Sequence, residues 1–175
     1  MTLGLAREAV QVVPYQPEWV QGFQEEAAVL RAVLKERALQ VEHIGSTAIV
    51  GMDAKPIIDL MVAVSNLEQA KTLVPAIEAL GYEYLPDEPP SDRLFFAKGL
   101  RSKRTHHLSL TEPAATFYRN MLVFRDYLRT HAPVAEAYRK LKKELAQKYP
   151  DQRALYTAGK GTFVERVLEL ARTAT

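Results

Sequence analysis

The sequence contains no cysteine. A disulfide framework, a thiolate zinc site and a cysteine nucleophile are therefore all excluded. No apolar run approaches the roughly 20 residues that a membrane helix requires. Met1 to Val13 lacks the basic-then-apolar order of a signal peptide. Together these absences predict a soluble, cytoplasmic protein with no membrane partner. Charge of one sign is also missing: 23 Lys and Arg stand against 21 Asp and Glu. So small a surplus gives no bulk attraction for nucleic acid, and any such contact must come from a local patch. Histidines number four, and two of them, His106 and His107, are adjacent. On a strand they face opposite ways, which argues against a shared zinc site. There is no internal repeat and no low-complexity tract.

The 175 residues, 47% hydrophobic and 25% charged, suit one globular domain. We expect a sheet-containing part over about 10–111 and a helical part over about 112–173. Val10 to Val13, closed by Pro14, reads as an edge strand or an extended lead-in. Trp19, Phe23, Ala27, Leu30 and Leu34 then recur at helical spacing after Pro17. Leu39 to Ile44 reads as a strand. Pro56 to Val64 is apolar except for Asp59 and reads as a central strand covered on both faces. Asn66 is placed to cap a helix carrying Leu67, Ala70, Leu73, Val74 and Ile77, which Gly81 ends. Tyr82 to Leu85, Leu94 to Ala97 and Arg104 to Leu110 read as further strands. Three helical stripes follow: Phe117, Met121, Phe124 and Leu128; Val134, Tyr138, Leu141 and Leu145; and Phe163, Val167 and Leu170. Thr162 and Glu165 are spaced as a capping box for the last. The order predicts an α/β (α+β) fold, a small mixed sheet with helices packed on it and a helical C-terminal part.

The most informative stretch runs from His43 to Asp59. A strand ends at Gly45, where the missing Cβ allows a tight turn and close backbone approach to a ligand. Ser46 and Thr47 then bring hydroxyls beside freed amides. The stretch reads either as a small anion site or as a plain strand–turn–helix link with a serine cap. It is not a P-loop, because Gly45 and Gly51 are wrongly spaced and no Gly-Lys-Ser/Thr follows. Nor is Ser46 on a Gly-x-Ser-x-Gly elbow, so a Ser46–His107–Asp59 triad is set aside. Alternation along the strand puts Ile57, Asp59, Met61 and Ala63 on one face. An ionised carboxylate there is costly without a cation or strong donors. It is either a functional group or the cap at a wet strand end.

His43-Ile44-Gly45-Ser46-Thr47-Ala48, a glycine at 51 and Lys55-Pro56-Ile57-Ile58-Asp59 together resemble the hallmark of the GrpB family. The likeness continues through Arg93, His106-His107-Leu108, Phe124 to Leu128, Tyr138 to Leu145, Tyr156 and Lys160, covering about Val12 to Ala171. The resemblance implies a nucleotidyltransferase-like fold; some relatives are fused to dephospho-coenzyme A kinase. In that superfamily a Gly-Ser turn precedes two acids two residues apart, and a third acid on a later strand completes a magnesium site holding a nucleotide triphosphate. Transposed here, Gly45 and Ser46 form the turn and Asp59 is the first acid and the expected metal ligand. The second acid falls at Met61, which hard magnesium does not seek. The third would come from a strand offering His106, His107 and Ser109.

Glu42 could join Asp59 as a catalytic acid if their strands are neighbours; otherwise it is a solvated strand residue. Asp53 either joins them or closes a turn. Gly45, Ser46, Thr47, Lys55, Arg93, Lys98 and His107 are the candidate nucleotide or phosphate contacts, and the resemblance adds Arg125, Tyr156 and Lys160. Lys98 to Arg104 also read as a solvated hairpin. Lys160, between two glycines, marks either a backbone break offering the amine to a phosphate or a surface hinge. Two functions follow. One is a Mg2+-dependent nucleotidyltransferase acting on an undefined acceptor. The other is a non-catalytic nucleotide- or partner-binding module that has lost the metal-binding acids.

Overall fold

The apolar period beginning at Trp19 forms helix α1 (Glu18–Leu34), whose Trp19, Ala27, Leu30 and Leu34 are buried. This computed structural model describes residues 3–173. Strand β1 (Gln40–Ile44) follows, then a 3-10 turn at Ser46–Ala48 and strand β2 (Ile58–Ala63). Asn66 caps the next segment as expected, its side chain accepting from the Gln69 amide at 2.8 Å. One continuous helix was expected there. Instead α2 (Leu67–Ala70), a 3-10 turn and α3 (Val74–Glu78) share the apolar stripe. Pro75 lies at the start of α3 and has no amide to continue the preceding turn.

Strands β3 (Tyr82–Tyr84), β4 (Arg93–Leu100) and β5 (Lys103–Thr111) complete a five-stranded sheet of order β1-β2-β5-β4-β3. Only β2 and β5 run parallel. The expected alternation along β2 holds. Ile58, Leu60, Val62 and Val64 join Leu30, Ile77, Phe96 and Leu108 in a core beneath α1 to α3. Each such side chain contributes about 1.5–3 kcal/mol through burial. Met61 and Ala63 face the other way, under Tyr118 of helix α4 (Thr116–Thr130). Asp92, at the mouth of β4, accepts from the Phe117 amide at 2.9 Å and so caps α4 from another element.

Helices α5 (Ala132–Lys148), α6 (Arg153–Ala158) and α7 (Gly161–Thr173) follow; α6 had no expectation. Helix α7 starts at Gly161, so Thr162 already lies inside its first turn and the expected capping box is displaced. Its buried residues are Val167 and Leu168, while Leu170 is 41% exposed. Ile49, Met52, Leu128 and Tyr138 make a third cluster that joins the loop after Gly45 to α4 and α5. Val13 bridges Ala54 in both directions, at 2.9 and 3.0 Å, which makes Val10–Val13 an extended lead-in. The sheet and the late helices leave a cleft between them, and that cleft holds the functional candidates.

Candidate functional site

Asp59 and His107 are direct partners in the parallel β2–β5 register, and Ile44 flanks Asp59 on β1. His107 Nδ1 lies 3.0 Å from Asp59 Oδ1. A carboxylate can only accept, so Nδ1 carries the proton and Nε2 keeps its lone pair. Burial pushes the Asp59 carboxyl up, but the His107 hydrogen bond and nearby positive charges, Lys55 among them, bring it below the usual range. Burial holds His107 below its ordinary value despite Asp59. The pair therefore stands at neutral pH as carboxylate and neutral imidazole.

The Asp59 side chain is 35% exposed and leans against the turn that begins at Gly45. Gly45 has φ +70°, and a Cβ there would lie 2.5 Å from Asp59 Oδ2. With ψ at −171°, this is backbone that essentially only glycine adopts. Gly45→Ala should therefore cost about 1–3 kcal/mol from strain alone and displace Asp59 as well. Equilibrium urea unfolding checks the first effect; an unchanged midpoint would contradict it.

In the following turn the Ala48 and Ile49 amides close onto the Gly45 and Ser46 carbonyls, leaving the Ser46 and Thr47 amides outside those bonds. The Thr47 hydroxyl is already engaged, 3.0 Å from His43 Nε2. His43 is buried, stacks on Phe23 and is pushed down to about 4, chiefly by burial. Ser46 Oγ accepts from Lys142 Nζ at 2.9 Å rather than reaching Asp59 or His107.

Lysine amines dominate this wall. Lys142, only 2% exposed, also donates to the Asp53 carbonyl. Burial, and then the charge of Lys160, push it down to about 7. Lys160 and Lys55 both lie over the Tyr156 ring, 4.5 and 5.6 Å from its centroid. Burial and the charge of Lys55 push Lys160 down to about 8; Lys55 is lowered too, by burial first. Arg153, on α6, lines the same cleft of about 510 Å3 together with Ser46, Asp59, Tyr156 and Lys160. Of the two readings of Lys160, the structure has it in the turn between α6 and α7, lining this cleft.

The other candidates are turned away from Asp59 or already bound, although Arg125 lines the same cleft. Glu42 is on the cleft side of the sheet but binds Arg125 at 2.7 Å. Arg125 in turn binds the His43 carbonyl and Asp126, so both are consumed in tying α4 to β1. Lys98 is on the opposite face, donating to both Glu26 carboxylate oxygens at 2.8 Å. Its register one residue from Ala97, the partner of His107, turns it away from Asp59. Arg101 and Arg104 bind Glu83. Asp53 is paired with Lys143 and Arg139. Arg93 enters a smaller pocket on the other side of Asp59.

Sequence reasoning missed Arg153 and Lys142. Lys142 had a signal: it lies four residues from Tyr138, on a buried stripe where a lysine is out of place. Arg153 had none, because a short unforeseen helix positions it. Met61, at the place of a second acid, is fully buried and lines no part of the cleft. Ser109 is bound to Arg93 at 2.9 Å. Among the described residues no group of three or more His, Cys, Asp or Glu could hold a metal. The residues present do not fit a two-metal centre.

A mixed sheet bearing a Gly-Ser turn beside a strand carboxylate, with helices behind, defines a nucleotidyltransferase-like fold. A structure of the Cid1 poly(U) polymerase with MgGTP bound shares it, with a TM-score of 0.54 at 16% identity, covering 78% of this chain and 44% of that one. At this identity the likeness concerns the fold alone. The chain belongs to the GrpB family, whose profile, "GrpB protein", matches residues 9–170. The crystal structure of GrpB from Enterococcus faecalis superposes with a TM-score of 0.85 at 41% identity, covering 92% of this chain and 96% of that one. UPF0157 protein PA4798 of Pseudomonas aeruginosa is 40% identical over 96% of this chain and 70% of its own length. About half of this chain, 48%, also matches 21% of a dephospho-CoA kinase of Mycolicibacterium paratuberculosis at 39% identity. No helix among the described residues is long and apolar enough to cross a membrane.

Proposed function

We propose that the protein binds a nucleotide, or a closely related phosphoester, by its phosphates in the cleft between the Gly45–Ser46 turn and Lys55, Arg153 and Lys160. The carrying observation is the excess of cations: Lys55, Lys160 and Arg153 line the cleft and Lys142 stands behind Ser46, the three lysines with depressed proton affinity, against the carboxylates of Asp59 and Glu165 in the same lining; Arg153 is 3.7 Å from Glu88 as well. Amines depressed first by burial and then by neighbouring positive charge are held in their charged form by a polyanion. Ser46 and the adjoining amides supply neutral donors, and Lys142 behind Ser46 supplies a buried charge. Tyr156 holds the two amines over its ring, so that they are ordered before the ligand arrives.

Of the two functions the sequence allows, binding without two-metal transfer is the one these residues serve. The second, nucleotidyl transfer, is favoured by one observation: Asp59 is ionised and open to the cleft. Asp59 would then be the ligand of magnesium carried in on the phosphates, and that ion would neutralise phosphate charge.

Calorimetry with ATP, CTP, GTP and UTP, each with and without Mg2+, tests both readings. Lys160→Met is expected to weaken nucleotide binding about tenfold or more, in line with losing one charge-assisted contact. Asp59→Asn removes the carboxylate beside the Gly45–Ser46 turn, so metal-free nucleotide should bind the variant as tightly as the native protein or more tightly. Weaker binding by Asp59→Asn only when Mg2+ is present would favour the transfer reading. No heat from any nucleotide would dismiss both.

A further inference from the structure

Behind the Asp59–His107 pair lies a second cavity of about 170 Å3 that meets the main cleft at Gly45, Asp59, His107 and Met121. Ile44, Phe117 and Met121 form an apolar wall; Arg93, Ser109 and His107 form the polar one. Arg93 is clamped between two rings, 4.3 Å from the Phe95 centroid and 4.7 Å from that of Phe117. It donates hydrogen bonds to neutral oxygens, Ser109 Oγ at 2.9 Å and the Pro89 carbonyl at 2.6 Å. Its Nε is buried without a partner, and no carboxylate lies within 4 Å of it among the described residues. Burial lowers it to about 10, so it remains charged at neutral pH. Asp59, Glu88 and Asp92 act on it only at longer range, so this half-buried, rigidly held guanidinium has no carboxylate in direct contact and an open Nε–H.

We infer that this cavity is a subsite for a small carboxylic acid with a short apolar body, its carboxylate on Arg93 and its chain against Phe117 and Met121. Size excludes a nucleotide. At about 30 Å3 per water the space equals five or six waters, which suits a molecule of about that many heavy atoms. A planar guanidinium matches a carboxylate's two oxygens. The ionised Asp59 on the shared wall disfavours a second negative charge, and so a phosphate dianion. The inference rests on the cleft reading in one respect: the acid would sit across Asp59 and His107 from the phosphates, as a second ligand of that site.

Methyl-labelled methionine NMR tests this in the intact protein, because Met121 lines the cavity while Met52 and Met61 do not. Butyrate is expected to shift the Met121 methyl signal saturably, in the presence or absence of saturating ATP. Arg93→Met, which keeps a chain for the rings to pack on, should lower butyrate affinity at least tenfold. Arg93→Lys should lower it several-fold, and it decides the matter if Arg93→Met does not fold. ATP affinity should stay within twofold in both. No shift at 50 mM butyrate, a shift equal in the Arg93 variants, or simple competition with ATP or inorganic phosphate would overturn the subsite. Butyrate binding with no ATP binding would dismiss the nucleotide reading and leave the subsite standing.

Discussion

Met61→Asp is expected to destabilise the protein by about 3–5 kcal/mol, the range found when a charge is left buried without compensation. The strand register sets Met61 beside Glu42 on β1 and Ser109 on β5. Its thioether is fully buried against Ile44, Ala63 and Tyr118. A carboxylate there would leave water, face the Glu42 carboxylate across the strand pair and open a gap where the longer side chain had been. Met61→Leu, nearly equal in volume, should cost under about 1.5 kcal/mol. Urea unfolding monitored by circular dichroism gives both numbers. If Met61→Asp unfolds at the native midpoint, the space beneath α4 is polar and open, and the case against a two-metal centre fails with it.

The second large effect is an alkaline rise in stability. Lys142 titrates at about 7 when folded and near 10.4 when unfolded. Between those values the unfolded chain binds more protons than the folded one, so stability increases with pH. Lys160, at about 8, and the lowered Lys55 act in the same sense. The ligand-free protein should therefore gain on the order of a few kcal/mol between pH 7 and 10. Above about pH 10 the trend should reverse. Burial raises Tyr138 and Tyr156, so the unfolded state loses those protons first. Lys142→Met should flatten much of the rise and stabilise the protein at pH 7. That gain is reduced by about 1 kcal/mol or more for each of the two acceptors left unpaired, the Ser46 hydroxyl and the Asp53 carbonyl. Denaturation midpoints at successive pH values give the curve. A native protein whose stability is flat or falling from pH 7 to 10 would mean that these lysines are solvated, and the cationic cleft would lose its basis.

Much of the fold was legible because burial imposes period on sequence. The strand from Pro56 to Val64 announced itself by an unbroken apolar run, and its alternation correctly separated the face of Asp59 from that of Leu60. The helical stripe at Trp19 was equally clear. Where local chemistry competed with period, the reading slipped. Pro75 split one helix into two, and Gly161 began α7 two residues earlier than the Thr162–Glu165 spacing suggested.

For the site, the sequence alone determined the turn and its carboxylate, since Gly45, Ser46 and Asp59 lie within one strand–loop–strand unit. Tertiary structure decided which cations face them. Lys98 and Arg93, five residues apart, must take opposite faces of one strand, but only packing sets which face holds Glu26 and which the pocket beside Asp59. Arg125 and Glu42, 83 positions apart, cancel each other, whereas Lys142 comes from a late helix to stand behind Ser46. Period and turn chemistry act between near neighbours. The field at Asp59 is a sum over charges that only the packing of helix on sheet brings within reach.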